Sequence, residues 1–181
     1  MNIKVISYSY TGNNEALAAE FAKAVGAEHL RITEPKKRTA GKIVRENLFN
    51  RDPKINLSGD EISDEDFVIF FSPFWFGKIA SPLRAYLKKL RRIPSKYGFI
   101  SLCVGYDDSE GVQKFKNDLA EMLGREAEFV VLKRIADLLP SGQALTQKML
   151  TEFRITQEDS RTLVASIKEE LGDNPPWSGK A

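Results

Sequence analysis

The chain has 181 residues and a mass of 20.4 kDa, which predicts one α/β domain and leaves little room for a second. Its 27 Lys/Arg, 25 Asp/Glu and 42% hydrophobic residues are typical of a globule, and this charge balance argues neither for nor against nucleic acid. One cysteine excludes an internal disulfide, and one histidine excludes a multi-histidine metal cage.

The first residues of the chain, MNIKVISYSY, predict a buried strand and no signal peptide. They lack the charged start and the long apolar stretch that a signal peptide needs. No later apolar run approaches the roughly 20 residues required to cross a bilayer. We therefore expect a cytoplasmic protein without a membrane span.

Short runs of β-branched and aromatic residues predict the strands of a mainly parallel sheet. They are apolar throughout and do not alternate, as is typical of strands buried on both faces. Because they alternate with segments of helical periodicity, we predict βαβ units with right-handed crossovers, stacked as a three-layer α/β sandwich. The predicted strands are Ile3–Tyr8, His29–Ile32 (the least apolar of the five), Phe67–Ser72, Phe99–Val104 and Phe129–Leu132.

Four helices are predicted from apolar residues spaced three and four apart. The second begins with Ser81 as its cap and Pro82 at its first position. The fourth begins with a capping box at Thr156 and Asp159. The first helix buries Leu17, Phe21, Ala24 and Val25, the third runs from about Ser109 to Gly124, and the fourth ends at Gly172.

Three stretches lack this regularity. Residues 33–58 contain seven Lys/Arg and three Asp/Glu, and we predict a basic, partly helical excursion around residues 41–48. Residues 136–155 predict a short helix. We predict a single domain over residues 1–172 and a mobile, polar C-terminal tail over residues 173–181.

Three loops follow the carboxyl ends of predicted strands, where sheets of this type bind ligands. Residues 9–14 (SYTGNN) place hydroxyls, amides and a glycine before a helix N-terminus, which suits a phosphate. Residues 72–78 (SPFWFGK) contain three consecutive aromatic residues, which cannot all point into the core. Residues 103–109 (CVGYDDS) offer Tyr106 as a second aromatic residue. Each loop alone is also compatible with an ordinary turn that caps or buries its neighbours.

Two further side chains are candidates for chemistry by residue type only. Cys103 ends an apolar strand, which favours a small buried hydrophobic residue over a nucleophile. His29 has no partner nearby in the sequence, which favours a structural or surface role. We therefore predict no catalytic residue and no metal site.

Together, the patterns S-x-T-G-N at residues 9–13, P-x-W-x-G at residues 73–77 and G-Y-D at residues 105–107 resemble the flavodoxin family. The resemblance covers about residues 2–135. It implies a flavodoxin-like fold with a five-stranded parallel sheet of order 2-1-3-4-5 and helices on both faces. It also implies non-covalently bound FMN as cofactor and electron transfer without covalent chemistry from side chains.

The resemblance assigns a part to each loop. The phosphate of FMN would be held by side chains and backbone N–H groups of the first loop, the peptide at residues 76–77 would face flavin N5, and aromatic residues would flank the ring on both sides. The implied cofactor-binding residues are Ser9, Tyr10, Thr11, Gly12, Asn13, Asn14, Pro73, Phe74, Trp75, Phe76, Gly77, Gly105, Tyr106 and Asp107.

The chain departs from the family pattern in one residue and in its charge. Asn14 stands where family members typically carry Thr. Carrier flavodoxins are acidic, whereas this chain has a pI of about 8.6, and residues 84–96 contain six Lys/Arg and no acid. Most such runs are solvated helix faces, but a functional one would imply an anionic partner or substrate. Lys78 and Arg84 predict a positive field beside the flavin that would ease its full reduction.

Three functions therefore remain open at this stage. The first is an FMN-containing electron carrier that exchanges electrons with a redox partner protein. The second is an FMN-dependent oxidoreductase whose small-molecule donor or acceptor is NAD(P)H or a quinone. The third is a module without flavin. We expect no nucleic-acid partner, and the sequence does not determine the oligomeric state.

Overall fold

A five-stranded parallel sheet with helices on both faces forms the core of the computed structural model. Among the described residues, no helix is both long and apolar enough to cross a membrane. The structure describes residues 2–36, 39–62, 65–75, 78–90, 93, 95–105, 109–139, 146 and 151–177.

The strands and helices of this described part follow each other in βα alternation. The strands are β1 (Ile3–Ser7), β2 (Glu28–Arg31), β3 (Phe67–Phe71), β4 (Phe74–Trp75), β5 (Lys78–Ile79), β6 (Lys96–Cys103) and β7 (Phe129–Arg134). The helices are α1 (Asn13–Val25), α2 (Ala40–Leu48), α3 (Ser81–Leu90), α4 (Ser109–Leu123) and α5 (Gln157–Leu171), with short 3₁₀ turns at Asp60–Ile62 and Ile135–Leu138.

The sheet order is β2-β1-β3-β6-β7, and all neighbouring strands run parallel. Counting only the strands of this sheet, the order is 2-1-3-4-5, so the predicted α/β fold is confirmed. The chain leaves β1 toward one edge to form β2 and then crosses to the other side of β1 to form β3. This reversal opens a crevice at the carboxyl ends of β1 and β3.

The five predicted strands are confirmed, and the structure adds a two-stranded antiparallel hairpin, β4–β5, that was not predicted. Strand β6 begins at Lys96, three residues before the predicted start at Phe99. Gly98 interrupts the apolar run at this point and hides the early part of the strand from periodicity. The two strands of the hairpin have two residues each, too few for any periodic signal.

Each face of the sheet is covered by its own apolar layer. On one face, α1 and α5 pack through residues such as Phe21 and Leu163. On the other, α3 and α4 pack through Leu83, Tyr86 and Phe115. Because these helices pack tightly on the sheet, they fix the ends of the strands and therefore the positions of the loops at the carboxyl edge.

The predicted helix boundaries are largely confirmed. Helix α5 has the expected capping box, because Thr156 Oγ1 accepts the N–H of Asp159 at 3.0 Å and Asp159 Oδ2 accepts the N–H of Thr156 at 2.8 Å. Helix α2 forms inside the basic excursion, as predicted. Helix α3 starts at Ser81, but the Ser81 hydroxyl donates to Glu46 of α2 at 2.7 Å. Most of the helix predicted over residues 136–155 lies outside the described residues.

The C-terminal segment is held to the core at Trp177. This side chain is 8% exposed, and its ring centroid lies 5.8 Å from that of Phe21, 5.6 Å from Phe67 and 5.5 Å from Phe129. Trp177 therefore packs against the core, although the polar composition of residues 173–181 predicted a mobile tail, and residues 178–181 lie outside the described residues. One large aromatic side chain anchors residues 173–177, while the domain boundary at residue 172 stays a prediction.

Candidate functional site

The three candidate loops begin side by side at the carboxyl edge of the sheet. The N–H of Tyr8 donates to the carbonyl of Phe71 at 2.9 Å, which joins the ends of β1 and β3. The N–H of Ser72 donates to the carbonyl of Ile100 at 3.3 Å, which joins the ends of β3 and β6. The structure thus brings the bases of all three loops together where the strand order reverses.

The first loop presents the N-terminus of α1 to this crevice. Gly12 is the N-cap residue and adopts φ +94°, a left-handed conformation that favours glycine. Because glycine has no side chain, it cannot cap the first N–H groups of α1. Ser9 Oγ accepts the N–H of Gly12 at 2.9 Å, and the Ser9 hydroxyl keeps its own proton to donate. The loop therefore offers neutral hydrogen-bond donors and the positive end of a helix dipole.

The two asparagines after Gly12 have structural side chains. Asn14 Nδ2 donates to the carbonyl of Leu102 at 2.8 Å, and Asn14 Oδ1 accepts the N–H of Leu102 at 2.9 Å. Asn13 Nδ2 donates to the carbonyl of Phe153, and its Oδ1 accepts the N–H of Ile155, both at 3.1 Å. Both asparagines are buried, and each side chain bonds backbone groups through both its amide nitrogen and its amide oxygen.

The side chains of Asn13 and Asn14 thus have a structural role, and the part in holding a phosphate that the family resemblance implies for them stays a prediction. Their amides fix the loop of residues 9–14 to the end of β6 and to the segment before α5. The spacing of residues in the sequence cannot predict these hydrogen bonds, because the bonded backbone groups lie 88 to 142 residues away along the chain. The N–H of Gly12, which was also expected to face the phosphate, is bonded to Ser9.

The second loop is divided between core and crevice. Pro73 is buried, and the ring of Phe74 packs edge-to-face on Phe115 of α4 with centroids 4.7 Å apart. Phe74 is partly buried and packs against the apolar layer under α4, while its predicted place beside a ligand ring stays a prediction. Trp75 pairs with Lys78 in the β4–β5 hairpin, which places its backbone beside the crevice. Residues 76 and 77 lie outside the described residues.

The third loop is described only to Gly105, an exposed residue, so the predicted roles of Tyr106 and Asp107 lie outside the described residues. Val104, predicted as the last strand residue, lies just beyond β6 and is 43% exposed. It adds an apolar side chain to the crevice edge that periodicity assigned to the core.

The two side chains that were candidates by residue type lie in the sheet, Cys103 at the end of β6 and His29 in β2. Burial raises the pKa of the Cys103 thiol to about 11, so this thiol is neutral at pH 7 and a poor nucleophile. The pKa of His29 is lowered, first by burial and then by the positive charge of Arg31. His29 Nε2 lies 2.8 Å from Ser7 Oγ, a hydrogen bond between neighbouring strands.

The first cation of the basic run, Arg84, is part of an ion pair. Its Nε lies 2.8 Å from Asp52 Oδ1, its Nη2 donates to the carbonyl of Arg51 at 2.8 Å, and the residue is 5% exposed. The carboxylate of Asp52 offsets the charge that was expected to act on a bound flavin. Lys78 is exposed, and its expected effect on a bound flavin stays a prediction.

The other described cations of the run also have partners. Lys88 Nζ lies 2.6 Å from Asp52, and Lys89 Nζ donates to the carbonyl of Leu57 at 2.5 Å. Lys96 Nζ lies 3.9 Å from Glu128. These contacts favour a structural role for the run. Residues 91 and 92 lie outside the described residues.

Comparison with known proteins agrees with this architecture. No protein-family model and no curated protein matches the chain. It is similar to a flavoprotein from Lactobacillus acidophilus NCFM, solved in complex with FMN, at TM-score 0.61 and 17% identity over 73% of this chain and 93% of that chain. A proposed flavoprotein from Bacteroides uniformis ATCC 8492 gives TM-score 0.62 and 14% identity over 91% and 97%. A proposed quinone reductase from Klebsiella pneumoniae gives TM-score 0.51 and 13% identity over 97% and 86%.

At these low identities the likeness concerns the fold. Together with the sheet order, it shows that the chain has a flavodoxin-like α/β fold.

Proposed function

We propose that this protein binds FMN without a covalent bond and transfers electrons through it. The observation that carries the proposal is the uncapped N-terminus of α1, which faces the loop of residues 9–12 at the reversal of strand order. Support comes from the similar flavoprotein of Lactobacillus acidophilus, which was solved with FMN.

The residues present fit a flavin mononucleotide. The hydroxyls of Ser9 and Thr11 and the first N–H groups of α1 would hold the terminal phosphate, and Trp75 would pack against the ring. Neutral donors suffice, because a helix N-terminus stabilises an anion without a Lys or Arg. FMN supplies the one- and two-electron chemistry, while the chain binds the ring, orients it and limits its contact with water.

The absorption spectrum of the purified protein, followed by anaerobic addition of NAD(P)H, tests the proposal and its alternative. We expect an FMN spectrum that stays oxidised with NAD(P)H and bleaches with dithionite. Rapid bleaching by NAD(P)H alone would favour the oxidoreductase. A protein that neither contains FMN nor binds it on addition would contradict the proposal.

Replacing Ser9 and Thr11 together by alanine is expected to weaken FMN binding at least about 100-fold, because each hydrogen bond to a charged group contributes about 1.5–3 kcal/mol. Riboflavin lacks the phosphate, so its affinity should change little. Titration calorimetry with both ligands measures the difference. The exposed Thr162→Ala variant on α5 serves as the control. Equal losses for FMN and riboflavin would contradict the phosphate assignment.

The flavin emission of the complex tests Trp75. An aromatic side chain stacked on the flavin ring quenches its emission, and its removal typically costs about 1–2 kcal/mol of binding. We expect the wild-type complex to be dark and the Trp75→Ala complex to be bright and about tenfold weaker. The chain has one other tryptophan, Trp177, so Trp177→Phe is the matched control and should stay dark. Bright emission from the wild-type complex would place no aromatic residue against the ring.

A further inference from the structure

We infer that the outer face of α2 and the turn after it form a docking surface for an acidic electron-transfer protein. This inference rests on the proposed function, because the surface adjoins the aromatic loop of the candidate flavin site. The docking surface has an apolar centre formed by Val44, Leu48 and Phe49 and a cationic rim formed by Arg45, Arg51 and Lys54.

The apolar centre is exposed to an unusual extent. Val44 is 54%, Leu48 74% and Phe49 62% exposed, whereas Ile43 on the inner side of α2 is 8% exposed. Val104, at the crevice, is the other large hydrophobic residue exposed among the described residues. Three exposed apolar side chains within six positions of one short segment are typical of an interaction site.

The acidic side chains near this segment are buried or paired, whereas the basic ones of the rim are exposed. The side chains of Glu34 and Glu46 are 6% exposed and turn inward, and Asp52 is paired with Arg84. Asp52 is the exposed acid of this stretch, and Arg84 and Lys88 neutralise it, so the net charge beside the apolar centre is positive. The guanidinium of Arg51 lies 5.8 Å from the ring centroid of Phe49. This surface complements a partner with carboxylates around an apolar patch.

A groove connects the docking surface with the aromatic loop. It has a volume of about 510 Å³, and Leu48 and Lys78 both contribute to its walls. Lys78 pairs with Trp75 in the β4–β5 hairpin. A protein docked on this surface would thus lie beside the loop that we assign to the flavin, as electron transfer requires.

Two other occupants fit the surface less well. A second copy of this chain, related by a two-fold axis, would oppose cationic rim to cationic rim. An anionic membrane is flat and would leave the groove beside the apolar centre, with its volume of about 510 Å³, unfilled. An acidic protein can insert side chains into the groove and pair its carboxylates with the rim.

The test is a titration of the protein, with the flavin that it carries, against an oxidised acidic [2Fe–2S] ferredoxin. Affinity is measured by calorimetry, and the contact surface by amide chemical-shift changes. We expect salt-sensitive binding that Arg45→Glu/Arg51→Glu weakens by about tenfold or more. Leu48→Gln/Phe49→Ser should weaken it similarly with less salt dependence.

The matched control for charge is Lys23→Glu/Lys168→Glu, which makes the same change in net charge on the exposed faces of α1 and α5. It should alter affinity by less than about twofold, because exposed charges beyond a Debye length are screened. Lack of ferredoxin binding, or an equal loss in this control, would overturn the inference.

Three further outcomes separate the explanations. Binding to phosphatidylserine vesicles that depends on Leu48 and Phe49, without ferredoxin binding, would overturn the inference in favour of a membrane. A dimer abolished by Leu48→Gln/Phe49→Ser would overturn it in favour of self-association. If the protein takes up no FMN but still binds ferredoxin on this surface, the docking surface would be supported and the proposed function contradicted.

Discussion

Replacing Gly98 with alanine is expected to lower the free energy of unfolding by about 2–3 kcal/mol, the range of overpacked cores. Gly98 of β6 lies opposite Phe129 of β7 in the parallel register. A methyl group at Gly98 would overlap three atoms of the Phe129 ring, Cζ, Cε1 and Cε2. That ring stacks on Phe67 with centroids 6.1 Å apart and contacts Trp177, so it cannot move without disturbing both.

Urea unfolding followed by circular dichroism measures this loss. Gly41→Ala is the matched control: it adds the same methyl group on α2, where a Cβ meets nothing within 4 Å, and should be neutral or stabilising. The double variant Gly98→Ala/Phe129→Leu should lose less than the sum of the two single changes, because the smaller side chain relieves the overlap. A Gly98→Ala protein as stable as wild type would mean that the ring has room to move.

The same glycine illustrates what sequence patterns reveal and what they miss. The continuous apolar runs of β1 and β3 predicted their strands well, because strands buried on both faces need no polar alternation. In β6, the part before Phe99 contains Lys96 and Gly98, which read locally as an ordinary loop. Only the ring of Phe129, 31 positions later, explains why a glycine stands in the middle of this sheet.

The meeting of the three loops was predicted from the sequence, while the ligand roles of their residues stay predictions. The three loops meet at the carboxyl edge because their strands are neighbours in the sheet. The alternation of strands and helices in the sequence already predicts this topology. The amides of Asn13 and Asn14 looked like ligands, since local spacing cannot show a bond to Leu102 or Phe153. Trp177 was assigned to a mobile tail because its neighbours are polar, and burial of one side chain leaves no periodic signal.

Replacing Arg84 with glutamate is expected to destabilise the fold by about 2–3 kcal/mol, because it breaks a part-buried ion pair and leaves a charge without a partner at a residue that is 5% exposed. The guanidinium of Arg84 bonds the carboxylate of Asp52 and the carbonyl of Arg51. A glutamate would set a second carboxylate against Asp52 and leave that carbonyl without its donor. Arg84→Met should cost less, because Lys88, 2.6 Å from Asp52, still neutralises the acid.

Lys78→Glu is the matched control for this prediction, because it makes the same charge reversal at an exposed position of the same groove. Its stability should stay within about 0.5 kcal/mol of wild type. If FMN binds as proposed, Lys78→Glu alone should lower the potential for full reduction, and the shift should shrink as salt rises. Chemical denaturation of both variants, with potentiometry on Lys78→Glu, separates the two roles. If Arg84→Glu and Lys78→Glu are equally stable, the ion pair between Arg84 of α3 and Asp52 of the 33–58 segment does not stabilise the fold.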